Sequence, residues 1–307
     1  METKRKYEPA VAPVVAPAVT PERALRVVTR SERNPGTALD LDLVRALRVN
    51  RSAVERRAAT IPTRRTVKKE WQAAWLLRAI SCMDLTTLQG DDTPSNVLRL
   101  CAKAQHPVRQ EVLDALGASP LGIKVGAVCV YHAFVPLAVE ALQDSGIPVA
   151  AVSTGFPAGL NPLPQRIEEI KASAAAGASE IDVVITRAHA LAGDWEALYD
   201  EVKSFREACG SAHMKVILGT GGVVMTRMIR DYHERTGHAV GFKPAGGIRV
   251  AKTALQWLIL MKEELGDRWL RSDLFRLGAS SLLTDIERQL EHFVTGRYSA
   301  AYRQPMV

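Results

Sequence analysis

Two lysines and two aspartates stand in apolar stretches, where an ionisable side chain is costly unless it is paired or put to use. Lys243 ends the run Ala239–Lys243 and opens the segment Lys243-Pro244-Ala245-Gly246-Gly247-Ile248-Arg249. Lys215 sits inside Met214–Leu218, Asp182 inside SEIDVVI, and Asp84 just after Ile80–Met83. A lysine at the end of a buried strand can be desolvated and lose part of its preference for charge, which makes it a candidate amine nucleophile or acid/base. Asp182 beside two interior lysines can move protons; the plainer alternative is a structural ion pair with Lys215. For Asp84 the plainer alternative is a helix N-cap. Gly246 and Gly247 let backbone N–H groups approach an anion closely. Gly278, Ser280 and Ser281 supply a second small-residue loop, so the two together predict a phosphate cradle next to a helix N-terminus.

These groups need a frame. Apolar or β-branched runs at Ile80–Met83, Val125–Tyr131, Val149–Ser153, Glu180–Ile185, Met214–Leu218, Ala239–Lys243 and Leu274–Gly278 are short and mostly continuous. That is the texture of parallel strands covered on both faces. A helical pattern lies between each pair. Thr93-Pro94 predicts an N-cap and first helical residue, and Asp194 predicts another N-cap. Gly177, Gly237 and Gly266 predict helix ends. Repeating βα units over this length predict an α/β chain of the (β/α)8 barrel type, with active residues at the C-terminal ends of strands. Only seven strand runs can be counted. The interval from Leu218 to Ala239 holds a single helix, Val223 to Arg235, so the barrel is expected to be incomplete.

Composition narrows the rest. The chain has 307 residues, 47% of them hydrophobic, enough for a sizeable core and against wholesale disorder. No apolar run is long enough to span a membrane, so a soluble protein is expected. Cys82, Cys101, Cys129 and Cys209 form no CxxC pair and read as reduced, partly buried thiols, Cys129 as core packing; the histidines show no zinc spacing, so no metal is expected. Net charge is +7. The excess belongs to residues 1–70, while the remainder is nearly neutral, which counts against a basic nucleic-acid face. Residues 1–36 read as a disordered basic Pro/Ala-rich tail, and residues 37–307 as the folded domain.

DLTTL (84–88), VCVY (128–131), GFPAG (155–159), EIDVVI (180–185), MKVIL (214–218), GFKPAGGIR (241–249) and GASSLLTDIERQ (278–289) together resemble the deoxyribose-phosphate aldolase family, in collinear order. The resemblance implies a cytoplasmic class I aldolase on a (β/α)8 barrel. Such an enzyme reversibly cleaves 2-deoxy-D-ribose 5-phosphate to acetaldehyde and D-glyceraldehyde 3-phosphate in deoxyribonucleoside catabolism. Its partner is a small sugar phosphate, with no cofactor, nucleic acid or membrane; a homo-oligomer stays open. By motif, Lys243 corresponds to the second active-site lysine, which lowers the pKa of the Schiff-base lysine. Asp182 corresponds to the proton shuttle, and Lys215 and Asp84 to the supporting charged pair. Gly246, Gly247, Gly278, Ser280 and Ser281 correspond to the phosphate loops. The family carries its Schiff-base lysine in a KTSTG-type strand between the MKVI and FKPAGG strands. Here MKVILGTG (214–221) runs directly into GVVMTRMIRDYHERTGHAVGFKPAGG (222–247), so no Schiff-base lysine is found. The expectation is an aldolase-type chain with impaired catalysis, or alternatively a non-catalytic variant that binds a phosphosugar or a partner.

Overall fold

The computed structural model describes residues 34–64 and 67–304. The expected tail therefore lies outside the described residues except at 34–36. There Asn34 Oδ1 accepts hydrogen bonds from the Gly36 N–H at 2.9 Å and the Tyr232 hydroxyl at 3.0 Å. Three helices precede the sheet: α1 (Leu41–Ala46), α2 (Arg51–Arg64) and α3 (Lys69–Ser81). The order then runs β1 (Met83–Thr86), α4 (Pro94–Gln105), α5 (Gln110–Ala115), β2 (Ala127–Tyr131), α6 (Val135–Ala141) and β3 (Val149–Ser153). It continues α7 (Leu163–Ala175), β4 (Glu180–Val184), α8 (Arg187–Ala192), α9 (Trp195–Ala208) and β5 (His213–Ile217). Next come α10 (Gly222–Thr236), α11 (Ala251–Leu265), β6 (Leu277–Ala279) and α12 (Leu282–Thr295).

Local chemistry places these elements much as expected. The Thr93 side chain caps α4 by accepting from the Asn96 N–H, with Pro94 at the first helical position. Asp194 caps α9 through the Ala197 N–H. Gly237 closes α10 with φ +75°, a left-handed conformation that a side chain would strain. Several strand boundaries differ; the last run, for example, narrows to Leu277–Ala279. Ile80 belongs to the last turn of α3, and the first strand starts at Met83. A short apolar run at a helix–strand junction carries too little periodicity to locate the change.

The six strands are all parallel, in the order β5-β4-β3-β2-β1-β6. This is an open arc of an α/β barrel. The seventh expected strand forms only isolated bridges, Phe242 to Phe275 and Ala245 to Gly278. It follows β6 on one side: the Phe242 N–H donates to Leu274 O, the Arg276 N–H to Phe242 O, and the Gly278 N–H to Pro244 O. Pro244 has no N–H to give, and among the described residues no strand lies on the other side. The opposite end of the arc is equally bare. β3 and β4 are buried along their whole length, whereas β5 is exposed at His213 and half-buried from Met214 to Ile217. The principal core sits between the arc and its helices, with Leu100, Ile170, Phe205, Leu258 and Ile286 all buried in it. No helix among the described residues is long and apolar enough to cross a membrane.

Candidate active site

Strand alternation and register bring the predicted charges into one cluster. Asp84 is the second residue of β1, paired across to Ala127 and Gly278. It is fully buried in a strand, which rules out the N-cap alternative. Asp182 and Lys215 are register partners on β4 and β5 and therefore share the concave face. Lys243 enters from the one-sided segment. Its ammonium lies 2.6 Å from Asp84 Oδ2 and 2.7 Å from Asp182 Oδ2. The Lys215 ammonium lies 2.8 Å from Asp182 Oδ1, 2.8 Å from Glu180 Oε2 and 3.0 Å from Asp84 Oδ2.

Two members of this cluster are absent from the sequence-based site. Glu180 stands two residues before Asp182, on the same strand face. Arg276 stands two residues before Gly278. It donates to Glu180 Oε1 at 2.8 Å and Oε2 at 3.2 Å and also grips Asp84. Period-two spacing from Asp182 and from Gly278 is the signal that finds them. The finished cluster holds three carboxylates and three cations and is formally neutral. It packs closely: a Cβ on Gly126 would sit 3.2 Å from Arg276 Cδ, and one on Gly278 would sit 3.0 Å from Lys243 Cε.

Charge states follow from this packing. Burial disfavours the Lys243 ammonium, but Asp182 and Asp84 outweigh it and raise its pKa. Burial likewise opposes Lys215, and Asp182, Asp84 and Glu180 together lift it well above the ordinary lysine value. Burial pushes Asp84 upward, yet Lys215, Lys243 and Arg276 hold it well below the usual carboxylate range. Asp182 is lowered in the same way by the two lysines against its burial. The expectation that Lys243 loses its preference for charge is therefore overturned, because desolvation acts together with two carboxylates at contact distance. Cys129 packs 3.9 Å from Asp182, and burial pushes its thiol up to about 12. It is a core residue and inert at neutral pH. None of the four cysteines is in a disulfide, and all four are buried.

The predicted anion loops are adjacent, joined by the Ala245–Gly278 bridge. Gly246 and Gly247 adopt φ +85° and +72°, and both are exposed. Ser280 and Ser281 are exposed too, with Ser281 at the N-cap of α12. The neighbouring α11 N-terminus already receives a carboxylate, since the Ala251 N–H donates to Asp285 Oδ2 at 2.7 Å. No group of His, Cys, Asp and Glu suited to a metal exists among the described residues.

A parallel α/β arc with lysines and carboxylates interleaved on its concave face defines a barrel-type protein with a lysine–carboxylate centre. Comparison with known proteins gives the particular family. Residues 78–231 match the DeoC/LacD family aldolase profile. The human deoxyribose-phosphate aldolase is 52% identical over 316 aligned residues, covering 90% of this chain and 99% of the human one. The mouse deoxyribose-phosphate aldolase is 53% identical, covering 88% and 98%. An apo crystal structure from Toxoplasma gondii ME49, described as a candidate deoxyribose-phosphate aldolase, superposes with a TM-score of 0.60. At 19% identity, covering 72% of this chain and 98% of that one, it bears on the fold alone. The chain belongs to the deoxyribose-phosphate aldolase family. Ninety per cent of 307 residues is about 276, so about 40 of the 316 positions aligned with the human protein have no counterpart here.

Proposed function

We infer that this chain retains the sugar-phosphate site of its family, specific for 2-deoxy-D-ribose 5-phosphate, and is impaired in cleaving the carbon–carbon bond. A class I aldolase needs a neutral amine. The amine adds to the C1 carbonyl, water leaves, and the resulting iminium accepts the electron pair as the C2–C3 bond breaks. The observation that carries the reading is the state of the two lysines on the concave face. Both are ion-paired and held as ammonium ions, so neither has a lone pair to offer. Asp182 is ionised and supports a role in proton transfer, while the Gly246-Gly247 and Ser280-Ser281 loops support phosphate binding at the strand ends. The missing neighbour of β5, and about 40 unmatched positions in the human comparison, support the loss of one βα unit. Eight such units in about 250 residues average roughly 30 each.

The test is incubation with 2-deoxyribose 5-phosphate and borohydride, followed by intact-mass and peptide analysis. The expected result is ligand-induced thermal stabilisation with no covalent adduct. An adduct on Lys215 or Lys243, with acetaldehyde released in its absence of reductant, would overturn the impairment. Absence of both adduct and stabilisation would overturn sugar-phosphate binding itself.

A further inference from the structure

The open side of the arc lies between β5 and residues 239–243, and α10 is the stretch of chain that crosses from one to the other. At its start Gly222 is pressed onto α11. A Cβ there would sit 2.7 Å from Trp257 Cη2 and 3.4 Å from Leu260 Cδ2. The same Trp257 ring meets Phe242, the residue before Lys243, with ring centroids 5.9 Å apart. What fastens α10 in this place comes from the other end of the chain. The Tyr232 hydroxyl of α10 donates to Asn34 Oδ1 at 3.0 Å, and the Tyr199 hydroxyl of α9 donates to Thr37 O at 2.9 Å. Three residues reach at most about 10 Å, so this short segment ties α10 to the helix that precedes β5. Next, α2 packs over the joint. Val54 and Ile61 of α2, Val223 of α10, and Trp257, Ile259 and Leu260 of α11 form a hydrophobic cluster apart from the principal core. Arg57 of α2 places Nε 2.9 Å from Glu264 Oε1 and Nη2 2.6 Å from Glu263 Oε2. Glu264 Oε2 accepts from Arg230 of α10 at 3.1 Å, so one buried carboxylate joins three helices.

We propose that residues 34–61 are a clasp, which holds α10 across the open side of the arc and, through Trp257 and Phe242, keeps Lys243 on its carboxylates. A segment with a ladder on one side alone is not fixed sideways by backbone pairing. Residues 239–243 bond only towards β6, so side-chain packing sets their position, and Trp257 is the aromatic partner of Phe242. Trp257 is itself wedged by Gly222, and Gly222 is held by α10 and its fastenings. The clasp contacts are side-chain bonds and a small cluster at the surface, whereas β2, β3 and β4 are paired on both edges and buried. Contacts of the first kind open below global unfolding, so release of the N-terminal segment is transmitted to Lys243 without loss of the sheet. The clasp does not depend on sugar-phosphate binding and holds whether or not the site turns over.

The test uses the full chain with Arg57→Met and Tyr232→Phe combined, which removes the ties to Glu263, Glu264 and Asn34. Arg51→Met is the control, because its ion pair with Glu55 is exposed and stays within α2. Loss of a hydrogen bond to a charged group shifts an opening equilibrium by about tenfold or more. Amide hydrogen exchange over residues 222–236 is expected to rise by that factor in the double variant, with β2, β3 and β4 unchanged. Acetylation of Lys243 by acetic anhydride, read by peptide mass, is expected to rise in proportion relative to Lys215, since both signals report the same opening. The control is expected to leave both at parent values. Unchanged exchange over 222–236, a rise shared equally by β2, β3 and β4, or unchanged Lys243 acetylation would each overturn the proposal. Should the double variant fail to fold, the parent chain decides. In exchange at rising sub-denaturing urea, residues 51–61 and 222–236 are expected to open as one unit, and separate openings would overturn the clasp.

Discussion

Replacing Arg276 with methionine keeps the volume of the side-chain stem and removes the guanidinium that grips Glu180 and Asp84. The cluster then passes from three cations and three carboxylates to a net charge of −1 in a site where Asp84 is fully buried. Breaking a buried ion pair by deleting one partner costs about 3–5 kcal/mol, because the remaining charge is left uncompensated. In a domain of this size that corresponds to a fall of roughly 6–15 °C in Tm. The charge arithmetic supplies a sharper check. Glu180→Leu alone leaves an excess cation, whereas Arg276→Met with Glu180→Leu leaves Asp84 and Asp182 against Lys215 and Lys243, again neutral. The double variant is expected to be more stable than the sum of the singles predicts, by about 2 kcal/mol or more. The assay is urea unfolding of the four proteins of the cycle. The deficit of Arg276→Met is also expected to shrink as pH falls, because a proton on a carboxylate then replaces the lost cation. Strict additivity, or a single-variant cost under about 1 kcal/mol, would refute the view of these six residues as one compensated unit.

The same cluster sets a pH window. Asp84, Glu180 and Asp182 have depressed pKa values, so their contribution is complete above the ordinary values of 3.8 and 4.5 and is lost as pH falls through the folded-state values. Lys215 and Lys243 are raised, so theirs is complete below 10.5 and is lost as pH rises through the folded-state values. The difference in urea stability between wild type and Lys243→Met should therefore be flat from neutrality up to the ordinary lysine value of 10.5 and shrink only on the acid side, where a carboxylate of the variant takes up a proton; a step between neutrality and 10.5 would place a lysine titration where none is expected. Gly278→Val sets a Cβ 2.8 Å from the Ala245 Cβ and 3.0 Å from Lys243 Cε. It should cost about 1–3 kcal/mol as overpacking, whereas Gly247→Ala meets open space and should cost only about 1–2 kcal/mol from its positive φ. Thermal melts that reverse this order would show that the Lys243 approach is loose.

Much of this protein was legible before any coordinates. Continuous apolar runs with capped helices between them encode parallel βα units locally, and Thr93, Asp194 and Gly237 end or begin helices through contacts within a few residues. The sequence offers an ion pair between Asp182 and Lys215, and the β4–β5 register puts both on one sheet face. The shortage of strands was countable, because each buried strand of such a fold is written as an apolar run of its own. Three things needed the tertiary structure. Residues 239–243 carry strand composition but lack a second neighbour, and strand formation depends on pairing rather than on composition. Arg276 and Glu180 are 96 residues apart, so their bidentate contact depends on β1, β4 and β6 curving around a common lumen. The charge of Lys243 was decided last. Burial and carboxylates act on its pKa in opposite directions, and only the distances to Asp84 and Asp182 determine which prevails.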